Sequence, residues 1–165
     1  MMKLFKYAIV ALFMPMMASA GEAKVTWLDF KEYRDVFPAK ETRGGYHKRI
    51  AKQFDAHLSK LASDMPEGYM LSVTFEDIDL AGDVRFNMND IRIIKPIYFP
   101  RLKIAYNVTD KAGNVIVEAQ SKVLKDMGFM DRIKFGRDTE FYYDKRLLSD
   151  WFEDDVVPAI TSSSK

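Results

Sequence analysis

The hydrophobic period of this chain changes at Pro66 and Gly68, and that switch restricts the fold more than any other feature. Before it, Tyr46, Ile50, Phe54, Leu58, Leu61 and Met65 recur at spacings of four and three, the stripe of a helix of about five turns. Thr42 is placed to cap its start, Gly44 and Gly45 weaken the first turn, and Pro66 with Gly68 ends it. From Tyr69 the period is two: Tyr69, Leu71, Val73 and Phe75 share one face of a strand, and Ser72, Thr74 and Glu76 share the other. The phase then flips, because Ile78 and Leu80 become the apolar positions and Asp77 and Asp79 stand where apolar residues were due. Either a β-bulge near Glu76 turns both aspartates to water, or a regular strand points both carboxylates inward.

The same alternation organises the rest of the chain. Residues 23–30 read as a first strand around Val25 and Trp27, and 31–41 as an irregular stretch. Residues 83–90 are polar and read as a loop; 91–99 are apolar but broken by Pro96, which predicts an edge or bulged strand. Leu102, Ile104, Tyr106 and Val108, then Val115, Val117, Ala119 and Val123, alternate with polar residues on either side of a turn. A four-residue loop at 110–113 would pair Val108 with Val115, Tyr106 with Val117 and Ile104 with Ala119, with Gly113 as its left-handed residue. Residues 125–137 form a long connection. Asp138 is placed to cap a last helix carrying Phe141, Leu147, Leu148, Trp151 and Phe152, which ends before Pro158, and 161–165 read as a disordered tail. The expected fold is α+β, a mainly antiparallel sheet of four to five strands with two helices on one face, in the order β-α-β-β-β-β-α.

The first twenty residues have the three parts of a secretory signal: basic Lys3 and Lys6, an apolar stretch over 7–17, and small Ala18 and Ala20 before an expected cut at Gly21. The apolar stretch carries Pro15 and is shorter than the roughly 20 residues that span a bilayer as a helix. The expectation is a protein exported to a Gram-negative periplasm, with residues 21–160 as a single domain. Loss of Lys3 and Lys6 with the leader takes the net charge from +1 to −1, which argues against bulk attraction to nucleic acid or anionic lipid. The absence of cysteine removes disulfides, thiolate metal sites, cysteine nucleophiles and the lipid attachment point of a lipoprotein. No membrane insertion is expected after cleavage.

Few residues suggest chemistry. His47 and His57, ten apart on one helix, lie about 80° and 15 Å from each other and cannot share a metal ion. No serine stands in a Gly-x-Ser-x-Gly context. Counting Asp77 as the first position of a calcium loop places Gly82 correctly, yet Ala81 and Met88 fall where ligands are needed. No metal or cofactor is expected, and Asp77 and Asp79 read as a solvated acidic strand end or as members of ion pairs. General acid and base work by this pair would need burial to separate their pKa values. Pro96 and Pro100 bracket Ile97, Tyr98 and Phe99, a segment able to cover the core or to meet a partner.

Taken together, VTW near residue 25, FEDIDLAGD over 75–83, YFPRLKIAY over 98–106 and EFYYDKRLLSDWF over 140–152 resemble a family of exported proteobacterial proteins described only as a domain of unknown function. The resemblance covers nearly all of the chain beyond the leader and implies no activity, substrate or cofactor. It singles out Asp77, Asp79, Leu80, Ala81, Gly82, Pro100, Arg101, Lys145, Arg146, Asp150 and Trp151 without giving them roles. Candidate binding residues are therefore Asp77, Asp79, Tyr98, Arg101, Lys145, Arg146, Asp150 and Trp151; no catalytic residue is assigned. The function expected is a non-catalytic envelope module that binds a small ligand or an envelope protein. The alternative is a carboxylate-dependent, hydrolase-like envelope enzyme using Asp77 and Asp79.

Overall fold

A computed structural model describes residues 20–85, 91–131 and 139–163 of the chain. Residues 1–19 of the expected leader and Asp138, the expected cap of the last helix, lie outside the described residues.

The elements run β1 (Glu22–Trp27), α1 (Arg43–Ala62), β2 (Met70–Asp79), β3 (Asp83–Arg85), β4 (Ile91–Ile93), β5 (Arg101–Thr109), β6 (Val115–Lys125) and α2 (Tyr142–Trp151). A π-helical turn, Phe152–Val156, then joins α2 to α3 (Val157–Ser163). A four-stranded sheet in the order β1-β2-β5-β6 carries the helices on one face, and β3 and β4 form a separate two-stranded sheet. The α+β expectation holds. β1 pairs parallel to β2, with α1 as the crossover, while β2, β5 and β6 are antiparallel.

The helix over 43–62 begins where the cap was expected. The Thr42 hydroxyl accepts from the Gly45 N–H at 3.2 Å, satisfying one of the free donors of the first turn. Tyr46, Ile50, Phe54, Leu58 and Ala62 form its buried stripe. That stripe packs on Leu71, Val73 and Phe75 of β2 and on Leu102, Ile104, Tyr106 and Val108 of β5, all buried in the same core. Trp27 stacks on Phe75 at 4.5 Å and donates its indole N–H to Asp55 at 3.0 Å, tying the sheet edge to α1.

The phase flip in β2 is a bulge. The pairing with β5 shifts between Phe75 and Asp77, so Phe75 and Ile78 both reach the core while Asp77 and Asp79 lie on the opposite face. The irregular stretch after β1 explains its position, because it covers the edge of β2 that β1 leaves open. Tyr33 donates its hydroxyl to Phe75 O, Asp35 N donates to Ile78 O, and Leu80 N donates to Asp35 O.

Four expectations need correction. Residues 83–85 are a strand, held by antiparallel pairing to 91–93, where a loop was expected; the apolar run continues past 93 as irregular chain. The hairpin register differs from the expected one: Thr109 faces Val115, Val108 faces Val117, Tyr106 faces Ala119 and Ile104 faces Lys122. The Asp110 carboxylate accepts from Ala112 N, Asn114 N and the Asn114 side chain, which lengthens the loop to include Asn114. A second irregularity, where Ser121 takes φ 59°, turns Lys122 inward and leaves Val123 exposed.

The last two corrections concern the final helix and the tail. The chain does not leave the helix before Pro158, and 161–163 are helical, not a disordered tail. Leu148, Phe152, Val156 and Ile160 are buried at four-residue spacing, which drifts around an α-helix, and the wider π turn takes the drift back. Pro158 sits in the first turn of α3, where a missing N–H is tolerated best.

Candidate functional site

The segment 80–82, which leaves the bulged end of β2, forms a wall shared by two cavities. Leu80 and Ala81 line one of about 340 Å³, together with Tyr46 and Arg49 of α1, Arg92 of β4, and Phe141, Tyr142 and Asp144 at the start of α2. Gly82 lines the other, of about 350 Å³, with Arg34, Asp35, Asp79 and Tyr98. Between them stands an ion pair. Arg92 donates from both terminal nitrogens to Asp35, at 2.8 and 3.0 Å, and further to the carbonyls of Leu80, Gly82 and Phe37. One guanidinium thus satisfies backbone acceptors from two segments, 80–82 and the stretch at Phe37, that have no ladder of their own.

Gly82 is required here by conformation. Its φ is +90°, and a Cβ would stand 2.8 Å from the Ile93 carbonyl oxygen and 2.7 Å from the Ile94 side chain. Its N–H donates to Tyr98 O at 2.9 Å, so the turn also fixes the loop before β5.

The larger chemical interest lies in Asp144, whose residue is only 2% exposed. Its Oδ1 accepts from Ala81 N at 3.0 Å. Burial pushes the carboxyl up to about 7, against the opposing pull of the Ala81 N–H and of nearby Arg92. Such a group offers a hydrogen-bond donor when protonated and a counter-ion when not, and it exchanges between the two near neutrality. Tyr46 beside it is raised, chiefly by burial and against the lowering influence of Arg92. Phe141 enters α2 with φ 53°, an uncommon conformation for a bulky side chain, and its ring packs on Tyr46 at 5.8 Å and on Phe54 at 5.8 Å. At the mouth, Arg49 is held between two carboxylates: Nε lies 2.6 Å from Glu140, and the terminal nitrogen bonds Glu41.

A family model described as "Protein of unknown function (DUF3016)" matches residues 21–154. The chain belongs to the DUF3016 family. No curated protein and no solved structure matches it. In this DUF3016 chain the run 77–82, singled out in the sequence, is divided at the end of β2 into two jobs. Asp77 and Asp79 engage Arg34 on the outer side, whereas Leu80, Ala81 and Gly82 build the wall between the cavities.

The candidate residues named from sequence fall in separate places. Asp77 accepts from Arg34 N and Ile78 N, both at 2.9 Å, and Asp79 pairs with the Arg34 guanidinium at 3.6 Å. Burial raises the Asp79 carboxyl despite Arg34. Arg101 opposes Asp79 across the strands without lining either cavity, and the Tyr98 hydroxyl accepts from Arg85 at 3.0 Å. Lys145 reaches Gln53 of α1 at 2.8 Å, and half-buried Arg146 is on the same helix. Asp150 and Trp151 line a third, shallower depression beside β6, with Trp151 packed edge-on against Tyr106 at 4.8 Å. His57 bonds Ser149 at 2.9 Å between the two helices. Sequence reasoning missed Tyr46, Arg49, Arg92 and Asp144 as site residues. Among the described residues, no group of three or more His, Cys, Asp and Glu side chains is placed to hold a metal.

Proposed function

We propose that this chain is a binding module of the bacterial cell envelope, exported to the periplasm on its leader, which takes a small ligand in the cavity between α1 and α2. The observation that carries the reading is that cavity. It is of small-molecule size, largely apolar and aromatic in its walls, and has a nearly fully buried carboxyl group, that of Asp144, in its lining. Export rests on the basic, apolar and small-residue order of residues 1–20. Among the described residues no helix is long and apolar enough to cross a membrane.

Binding is preferred over a carboxylate-dependent reaction at Asp77 and Asp79. Both carboxylates are engaged by Arg34, Asp77 lines neither cavity, and Arg101 does not join them at one concave surface. A general acid and its partner base have to face the same substrate atom, and among the described residues Asp79 lines a cavity that Asp77 does not.

The test is retention of a natural ligand. Protein purified from its native host is denatured and its extract compared by mass spectrometry with that of Ala39→Trp, a substitution that fills the cavity from its rim. A small molecule released by the native chain and missing from the variant is the expected result. Equal release from both, or none from either at saturating host extract, overturns the reading.

A further inference from the structure

We propose that the cavity between α1 and α2 selects a small organic ammonium ion with an apolar or aromatic body, and that the Asp144 carboxylate is its counter-ion. This deepens the binding reading and rests on it.

Charge balance on the walls comes first. Of the described residues, Arg49 and Arg92 are the cations lining the cavity, and both are already committed. Arg92 gives its terminal nitrogens to Asp35 and three carbonyls, and Arg49 is clamped between Glu41 and Glu140. A ligand carboxylate or phosphate would compete with the carboxylates already paired with those two cations. Against the two cations stand Glu41, Glu140, Asp35 and Asp144, so the described surroundings favour an incoming positive charge.

Asp144 itself is poised to take a cation. It faces Ala81 N–H from the wall, Arg92 from β4, Asp35 behind Arg92 and Tyr46 from α1, with Tyr143 next to it on its own helix. Burial holds the proton on this carboxyl toward neutrality, and Arg92, which is shared with Asp35, offsets it only in part. An ammonium group seated against it supplies the missing charge. Below neutrality the exchange is balanced: the carboxyl O–H breaks, its proton passes to solvent, and the carboxylate remains paired with the ammonium. No other bond changes.

Apolar and aromatic side chains surround that charge. Leu80 and Ile94 give an apolar wall, and Tyr46, Phe141 and Tyr142 present rings. Ring faces attract cations, and apolar walls favour a hydrocarbon body over a hydrated inorganic ion.

The probes are phenethylamine, 2-phenylethanol and phenylacetate, which share a phenyl body and differ in headgroup charge. Affinity is measured by isothermal titration in two buffers of different ionisation heat, near pH 6 and near pH 8. The amine is expected to bind about tenfold or more tightly than the alcohol or the acid. Its binding should release close to one proton near pH 6 and little near pH 8. Asp144→Asn should abolish both the preference and the release while leaving alcohol binding in place. Should that variant fail to fold, Glu140→Gln is expected to weaken the amine a few-fold and to spare the alcohol.

Equal binding of amine and alcohol, tighter binding of the acid, or an amine affinity indifferent to both substitutions overturns the ammonium inference and leaves the cavity reading standing. Binding of none of the three probes overturns the ammonium inference, and the retained-ligand comparison then decides the cavity reading by itself.

Discussion

Asp144 lies three, four and seven residues before Leu147, Leu148 and Trp151, on the stripe that α2 buries. A charged residue on a buried stripe is a legible signal, because burial of a lone carboxylate is costly unless something answers it. The sequence could not supply the answer, Ala81 N–H and Arg92, since both arrive from distant segments. A consequence for stability follows with a definite sign. Between the ordinary carboxyl range near 4 and about 7, the unfolded chain has given up this proton while the folded chain keeps it. The unfolded state then binds fewer protons, so stability falls as pH rises through that window, by an amount on the order of 4 kcal/mol. Asp144→Asn keeps an oxygen for Ala81 N–H and removes the slope. The variant should match the native chain near pH 4 and exceed it near pH 8, in denaturant titrations at each pH. His57 contributes in the opposite direction: burial lowers its pKa, so stability is lost as pH falls through about 6.5. The difference between variant and native chain cancels that contribution. A variant no more stable than the native chain near pH 8 would remove the case for a neutral Asp144.

At the scale of elements, turns and bulges decide what the strands present. The bulge in β2 was one of two readings open from the phase flip of Asp77 and Asp79. What selects it is the 33–35 segment, which hydrogen-bonds to the β2 backbone and seats Arg34 against both aspartates. Glu76, the bulged residue, reaches across β5 to accept from Ser121 of β6 at 2.7 Å and pairs with Lys103 at 3.1 Å. The irregularities of β2 and β6 are thus joined on the outer face of the sheet. The turn after β2 is equally constrained. Gly82→Ala should destabilise by about 2 to 4 kcal/mol, combining the cost of a positive φ with a contact against the Ile93 carbonyl. The expected signature is a lower denaturation midpoint at an unchanged slope. A loss below about 0.5 kcal/mol would mean that the turn relaxes freely, and the cavity wall with it.

For the molecule as a whole, the core closes by joining β1, α1 and β2 to a hairpin and a last helix that share no local contacts with them. The proposed cleavage before Gly21 can be tested against this body. Gly21 is buried against the end of α1, with its N–H 3.4 Å from Met65 O and no room for a Cβ, which would stand 2.7 Å from Ala62 O. An ammonium at Gly21 would therefore lie at the negative end of that helix, a favourable place for it. Intact-mass measurement on the envelope fraction of the native host is expected to find a chain beginning at Gly21. A chain still beginning at Met1 in the cytosol contradicts the proposed address. What the sequence determined by itself was periodic: the α1 stripe, its Thr42 cap, the alternation of β2 and β5, and the α+β class, because a repeat of buried positions encodes the face an element must hide. The hairpin register, the π turn under Pro158 and the cavity were decided only in three dimensions. Extra residues in a strand, a carboxylate answered from another segment, and an arginine bonded to carbonyls on two separate segments leave no period in the chain. Their energy comes from neighbours that only folding brings together.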